Sequence, residues 1–325
     1  MTQIQPNWRM RLSSARKWLE RLLVPLVLVF VGWTGLELSR DWDPSDLSLD
    51  PTLVLASAVP VVAASLFHAL AWLALLRSMS GIRPALVPTL ERFFASLLGR
   101  YAPAKLALPL IRMQSSDALQ IGVAGSVTIL AIEVTTYVLT GAFVGFVGLE
   151  LSGGSTSTYG IALAWSRVIT VVSALLLIVL ASMDRRHIRA SWRASLGMVS
   201  EGALLPWSTV VYFSLLWFCW YAHGIVVIHA TGVSVAVATS IAYVFVLAPL
   251  GGFLALVAPG GLGVREALMV LALSPALGAS GATMVAVISR IVTLVCEVLV
   301  WLLMRACTRW MKPHDPRRFT TDSAS

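Results

Sequence analysis

Residues 236–277 read AVATSIAYVFVLAPLGGFLALVAPGGLGVREALMVLALSPAL, and Arg265 and Glu266 are the charged residues among them. A helix needs about 20 mostly apolar residues to cross the ~30 Å hydrocarbon core of a bilayer. Residues 236–257 supply such a run without interruption. The run then breaks at Ala258-Pro259-Gly260-Gly261-Leu262-Gly263 and resumes as a shorter apolar segment, Val264 to Leu277, again ended by proline and glycine. This is helix built for lipid, with one deliberate break in it.

The rest of the chain follows suit. Apolar residues make up 58% of the 325 and charged residues 12%, against roughly 45–50% and 25% in soluble proteins. The mean hydropathy is +0.83. Such a chain has too little polar surface to cover its own core in water. Further spans are expected at 22–38, 53–76, 119–148, 158–182, 204–229 and 281–304. A second broken segment, Val87 to Met113, is interrupted by Gly99-Arg100-Tyr101-Ala102-Pro103-Ala104-Lys105. The opening has the basic and apolar regions of a signal peptide, but Trp33, Glu37 and Trp42 stand where a small-residue cleavage site would be, so it reads as a retained first span.

The net charge of +8 does not indicate nucleic acid, because the bases lie in short clusters between apolar runs. Of the 24 bases, 21 fall before the first span, at 77–117, at 183–203, at Arg265 and after the last span, with Arg40, Arg167 and Arg290 outside these clusters. The intervening loops instead carry Asp41, Asp43, Asp46, Asp50 and Glu150. By the positive-inside rule both termini are cytoplasmic, and the protein is a multi-pass component of the cell inner (cytoplasmic) membrane. The reading is an all-α polytopic membrane protein with about eight transmembrane helices. Val87–Met113 adds a re-entrant helix pair, entering and leaving on the cytoplasmic side, while Val264–Leu277 crosses. The organisation is a cytoplasmic tail 1–21, one transmembrane domain 22–307 and a cytoplasmic tail 308–325. Broken segments in each half of the chain fit an inverted repeat with a central site.

Ionisable groups at membrane depth cost roughly 2.5–3.5 kcal/mol each on insertion scales. Glu133, Arg167, Arg290 and Glu297 lie within expected spans, the last two about two turns apart on one face. They read either as interhelical ion pairs or, for Glu133 and Arg290, as the lining of a polar cavity. Arg100, Tyr101, Lys105 and Arg265 sit at the helix breaks, and irregular backbone at depth is tolerated where it is buried in protein or lines a wet cavity. Gly260, Gly261 and Gly263 permit a tight turn into a helix whose free N–H groups, with Arg265 and Glu266 in the first turn, suit an anionic head group. No Gly-Lys-Ser/Thr follows, so this is not a nucleotide loop. Cys219, Cys296 and Cys307 have neither CxxC spacing nor histidine partners. No metal, cofactor or catalytic constellation is expected. His68, His223 and His229 are scattered over separate helices, and Gly141, Gly145 and Gly148 suit close helix packing.

The set Gly99-Arg100-Tyr101-x-Pro103-x-Lys105, Glu133, Pro259-Gly260-Gly261-Leu262-Gly263-Val264-Arg265-Glu266 and Arg290 resembles the lysylphosphatidylglycerol synthase transmembrane family over nearly the whole chain. The Pro-Gly-Gly-Leu-Gly-x-Arg-Glu stretch is its most specific part. Two departures stand out: the family commonly has Pro-Gly-Lys at Pro103-Ala104-Lys105, and Glu-Arg at Glu133-Val134. The resemblance implies a flippase-like lipid translocation domain of the stand-alone kind, lacking the aminoacyl transferase domain of bifunctional members. The expected function is therefore movement of an anionic phospholipid, polyprenyl lipid or glycolipid between leaflets, and not an enzymatic one. The substrate-binding set would be Arg100, Tyr101, Lys105, Glu133, Gly260, Gly261, Gly263, Arg265, Glu266 and Arg290. Expected partners are membrane lipids, with room for a homodimer or a lipid- or glycan-modifying enzyme. The alternatives are a secondary transporter of a small organic ion and a non-transporting membrane partner of such an enzyme.

Overall fold

The computed structural model describes residues 49–81, 83–101, 107–114, 121–152, 160–184, 186, 203–255, 261 and 263–311. The expected span 22–38, the N-terminal tail and most of the C-terminal tail lie outside them. The described chain is helical apart from short connections and an isolated β-bridge between Asp184 and Ala203. In order the helices are α1 Pro51–Ala56, α2 Ala58–Ser80, α3 Leu86–Leu98, α4 Ala107–Gln114, α5 Gly122–Leu151, α6 Gly160–Ser182, α7 Trp207–His229, α8 Val235–Ile241, α9 Val244–Leu254 and α10 Val264–Trp310.

Local chemistry sets several of these ends. The Asp50 carboxylate caps α1 by accepting from the backbone N–H of Thr52 at 2.8 Å, and Pro51 follows at the first helical position. Gly81, at φ 69°, closes α2 in the left-handed conformation. Among the described residues six segments are long and apolar enough to cross a membrane: Pro51–Ser80, Gly122–Leu151, Trp165–Ser182, Trp207–His229, Val235–Leu254 and Val264–Trp310. The expected spans 53–76, 119–148, 158–182, 204–229 and 236–257 fall on α1–α2, α5, α6, α7 and α8–α9. The expected 264–277 and 281–304 are the two arms of α10.

Burial is turned inside out relative to a water-soluble protein. Trp165, Val171, Leu175 and Val179 line an exposed face of α6, and Leu271 on α10 is 74% exposed, whereas Arg112, Glu133, Arg265, Arg290 and Glu297 are all 4–6% exposed. Lipid outside and paired polar groups inside account for both. The helices approach closely where side chains are missing. A Cβ at Gly141 would lie 2.6 Å from the Trp217 ring, and one at Gly148 3.0 Å from Tyr221 and from Tyr243. The Trp217 indole N–H then donates to the Tyr137 carbonyl at 3.1 Å.

α10 is not one rod. Arg265 Nη2 donates to Ser289 Oγ at 2.9 Å although 24 residues separate them, a distance of about 36 Å along a straight helix. Gly278, at φ 71° and ψ 166°, is where the chain reverses. The arm before it packs against the arm after it through Met269, Leu273, Ala282, Val285 and Ala286. The same first arm runs back along α9, with Gly252 facing Arg265 and Gly251 facing Leu268. α9 and the first arm of α10 therefore form one helical hairpin. α3 and α4 form another, held where Arg112 Nε donates to Ser96 Oγ at 2.7 Å. The 13 residues of α3 and 8 of α4 reach about 20 and 12 Å, well short of a bilayer core.

The Gly278 backbone lies in a region that only glycine occupies without strain, and a Cβ there would meet nothing within 4 Å. Gly278→Ala should therefore lower stability by about 1–3 kcal/mol through backbone strain alone, read as a fall in melting temperature of the detergent-solubilised protein. An unchanged melting temperature would show that the reversal does not need this conformation.

Candidate functional site

Two sets of polar side chains lie inside the bundle. The first is built from α2, α3, α4 and α5. Glu133, in the middle of α5, accepts on Oε1 from Arg112 Nη2 at 3.1 Å and from His68 Nε2 at 3.1 Å. A carboxylate can only accept, so the His68 proton sits on Nε2. Arg112 lies over the rings of Trp72 at 4.4 Å and Phe93 at 4.7 Å, which adds cation–π attraction to the ion pair. His68 is boxed by Phe93, Tyr137 and Phe213. Arg112 also borders a cavity of about 10 Å³ with Trp72 and Ser126, room for roughly one water.

The second set gathers where the two hairpins meet the second arm of α10. Arg100, on the 3-10 turn Gly99–Tyr101 that ends α3, pairs with Glu297. The Tyr101 hydroxyl donates to the other Glu297 oxygen at 2.9 Å. Arg290 lies 5.2 Å over the Tyr101 ring and 3.8 Å from Glu266. Glu266 also accepts from the backbone N–H of Gly263 at 2.9 Å, so it caps the helix it opens. Arg265 lies over the Trp220 ring at 5.0 Å and donates to Ser289, whose hydroxyl is 3.0 Å from His223 Nε2. The His223 Nδ1 lies 3.0 Å from the Ser57 carbonyl. That oxygen can only accept, so the proton is on Nδ1 and Nε2 accepts from Ser289.

Charge differs between the sets. Among the described residues, Arg112 and Glu133 balance, whereas Arg100, Arg265 and Arg290 outnumber Glu266 and Glu297. The second set thus carries a net positive charge in a medium where an unbalanced charge attracts strongly. Tyr137 is stacked on His68 with centroids 5.6 Å apart and packs against Trp217 and Phe253.

A family model described as the lysylphosphatidylglycerol synthase TM region matches residues 18–300. The chain belongs to this family. Searches of curated proteins and of solved structures found no match. Membership makes it a multi-pass membrane protein of a lipid-handling family. Of the residues singled out in the sequence, Arg100, Tyr101, Arg265, Glu266 and Arg290 come together in the second set. Gly261 and Gly263 stand beside it at φ 74° and 78°. A Cβ on Gly261 would fall 2.8 Å from the Gly252 carbonyl oxygen, so the turn into α10 needs glycine there. Lys105 and Gly260 lie outside the described residues. Glu133 belongs to the first set, with Arg112 and His68 as partners. Arg112, Ser289 and His223 carry as much of the geometry as the motif residues do, though the sequence reading assigned none of them to the site. Arg112 was visible as a charge on an apolar return arm, while a serine in an apolar helix gives no signal.

Removing one member of a buried ion pair leaves the other unpaired. Glu133→Ala should destabilise the protein by about 3–5 kcal/mol, and Glu133→Leu combined with Arg112→Leu should recover most of that loss. Melting curves of the single and double variants in detergent measure the coupling. Additive losses would mean that the two side chains do not depend on each other.

Proposed function

We propose that this protein moves an anionic lipid between leaflets, holding its head group at Arg100, Arg265 and Arg290. The observation that carries the reading is the surplus, among the described residues, of guanidinium over carboxylate groups where the tips of the two hairpins converge. Arginine presents a planar fork suited to phosphate. No nucleotide-binding motif accompanies it, so movement is passive or driven by a gradient. A separate groove of about 470 Å³ between α5, α7 and α8 is bordered by Phe143, Val147, Leu151, Phe218 and Ala236, with Tyr221, Thr239 and Ser240 also in its wall. Membership of a lipid-handling family supports a lipid over a small soluble ion.

In this reading both hairpins are re-entrant. α3–α4 enters and leaves from the cytoplasmic face, where Arg77 and Arg83 precede it. The α8–α9 segment and the first arm of α10 enter and leave from the opposite face, turning at depth beside Gly261 and Gly263, and Gly278 then reverses the chain into the second arm of α10. The two then dip toward each other from opposite sides, as in an inverted repeat. Together with the span expected at 22–38, full crossings by α1–α2, α5, α6, α7 and the second arm of α10 keep both termini cytoplasmic, in agreement with the basic clusters. The protein acts as a carrier and not as an enzyme, in the inner membrane. A second copy or a lipid-modifying enzyme is a compatible partner.

The test is translocation of fluorescent phosphatidylglycerol, phosphatidylethanolamine and a polyprenyl phosphate in proteoliposomes. Wild-type protein should accelerate an anionic lipid selectively. Arg265→Ala should slow it at least tenfold while the protein elutes as a single folded species. Equal rates for wild type and Arg265→Ala would remove Arg265 from the site. Loss of selectivity for negative charge would remove the head-group role altogether.

A further inference from the structure

The two polar sets share a plan beyond their common location. In the first half, His68 on α2 and Arg112 on the return arm of a hairpin both address Oε1 of Glu133 on the next long helix, at 3.1 Å each. In the second half, His223 on α7 and Arg265 on the return arm of a hairpin both address Oγ of Ser289 on the next long helix, at 3.0 and 2.9 Å. The same ring nitrogen and the same terminal guanidinium nitrogen converge in each case. A phenylalanine from the hairpin's outgoing arm packs edge-on against each histidine, Phe93 against His68 and Phe245 against His223. A tryptophan from the histidine's own helix lies under each guanidinium, Trp72 and Trp220. His68 and His223, Phe93 and Phe245, Arg112 and Arg265, and Glu133 and Ser289 follow in the same chain order, at a near-constant separation of roughly 155 residues.

The difference lies in the oxygen at the centre. In the first half it belongs to a carboxylate, which neutralises Arg112. In the second it belongs to a serine hydroxyl, which does not neutralise Arg265. Glu266, the neighbour of Arg265 in sequence, is engaged with Arg290 and with the Gly263 N–H. Arg265 Nε is buried with no hydrogen-bond partner among the described residues. The guanidinium is thus held by aromatic and hydroxyl contacts while its charge stays open.

We infer that Arg265, backed by Ser289 and His223, is the seat of the substrate's oxyanion, and that Ser289 keeps it open where the matching seat in the first half is closed by its own Glu133. The inference rests on the lipid-translocation reading for the source of the anion, a phosphodiester or phosphomonoester carried by a membrane lipid. Its chemistry is that of any oxyanion of this size, free phosphate included. Glu133 shows the guanidinium half of such a seat, an oxygen on the guanidinium edge with an aromatic ring beneath. His223 differs from His68 in that its Nε2 accepts from Ser289, so its part is to hold the hydroxyl and not to donate to the oxyanion. Ser289 accepts from Arg265 and donates its one proton to His223 Nε2, and the hydroxyl can turn that proton from the ring to an incoming oxyanion. A carboxylate at that position would repel the oxyanion and pair with Arg265 instead.

The experiment is equilibrium binding of dihexanoylphosphatidylglycerol and of inorganic phosphate to the purified full chain in an uncharged detergent. Wild type, Ser289→Glu and Ser289→Gln are compared. Ser289→Glu should weaken binding of the short-chain lipid at least tenfold. Ser289→Gln, which adds the same bulk without the charge, should bind at least severalfold better than Ser289→Glu. Ser289→Glu should also melt higher than Ser289→Gln, because its carboxylate gains Arg265 as a partner. That measurement reads the pairing without any ligand. Equal losses in the two variants would mean crowding and overturn the inference, as would Ser289→Glu binding the lipid like wild type or melting no higher than Ser289→Gln. Wild-type binding of neither probe would overturn it too. Binding of phosphate but not of the lipid, abolished in Ser289→Glu, would uphold the oxyanion seat and sink the lipid reading instead.

Discussion

Arg112 and Glu133 meet at 3.1 Å inside a bundle whose outer faces are valine and leucine. In such a medium a guanidinium has no water to retreat to, so its position is fixed by wherever a partner can be brought. That requirement organises the molecule. α4 is too short to hold its place by its own backbone cooperativity. It is anchored because Arg112 reaches Ser96 on α3, Glu133 on α5 and the ring of Trp72 on α2. The first arm of α10 is anchored in the same manner through Arg265 and Glu266. Each hairpin stays in place by what its charges grip, and the grip falls near its tip.

The glycines serve the same end by a different route. Gly261 and Gly252 let two strands of backbone meet where the second hairpin turns, and Gly278 lets a 47-residue helix become an antiparallel pair. Gly141 and Gly148 let α5 lie close against α7 and its neighbours. Without the first group the arginines would not reach the centre. Without the second the long helices that carry Glu133 and Ser289 would stand too far away to receive them.

Much of this could be read from the chain, and what could not has a physical cause. Span positions follow from the length of apolar runs, which a bilayer dictates directly. The breaks at Gly99–Lys105 and at Pro259–Gly263 were legible because proline and glycine act on their own backbone. So was the reversal near Leu277, where apolar residues give way to glycine. Pairing is another matter. Periodicity within a helix says which residues share a face, but not which helix that face meets. Glu133 and Arg290 looked alike as buried charges in separate spans, yet one answers to Arg112 and the other to Glu266. Glu297 read as one side of an interhelical ion pair, but the sequence could not name Arg100 and Tyr101 as the groups that converge on it. Ser289 carried no mark at all, since serines in apolar helices commonly bond to their own backbone.

The sequence distances between charge partners also imply an order of assembly. Arg112 and Glu133 are 21 residues apart, and Arg265 reaches Ser289 across 24, so each closes within a few helical turns of synthesis. Arg100 and Glu297 are separated by 197 residues. While the chain emerges from its N-terminal end, the first half can settle its own buried charge long before the second half exists. Arg100 has to wait for almost the last helix to be made. The Arg100–Glu297 contact is therefore the clasp of the molecule, closed at the end, when the halves are joined.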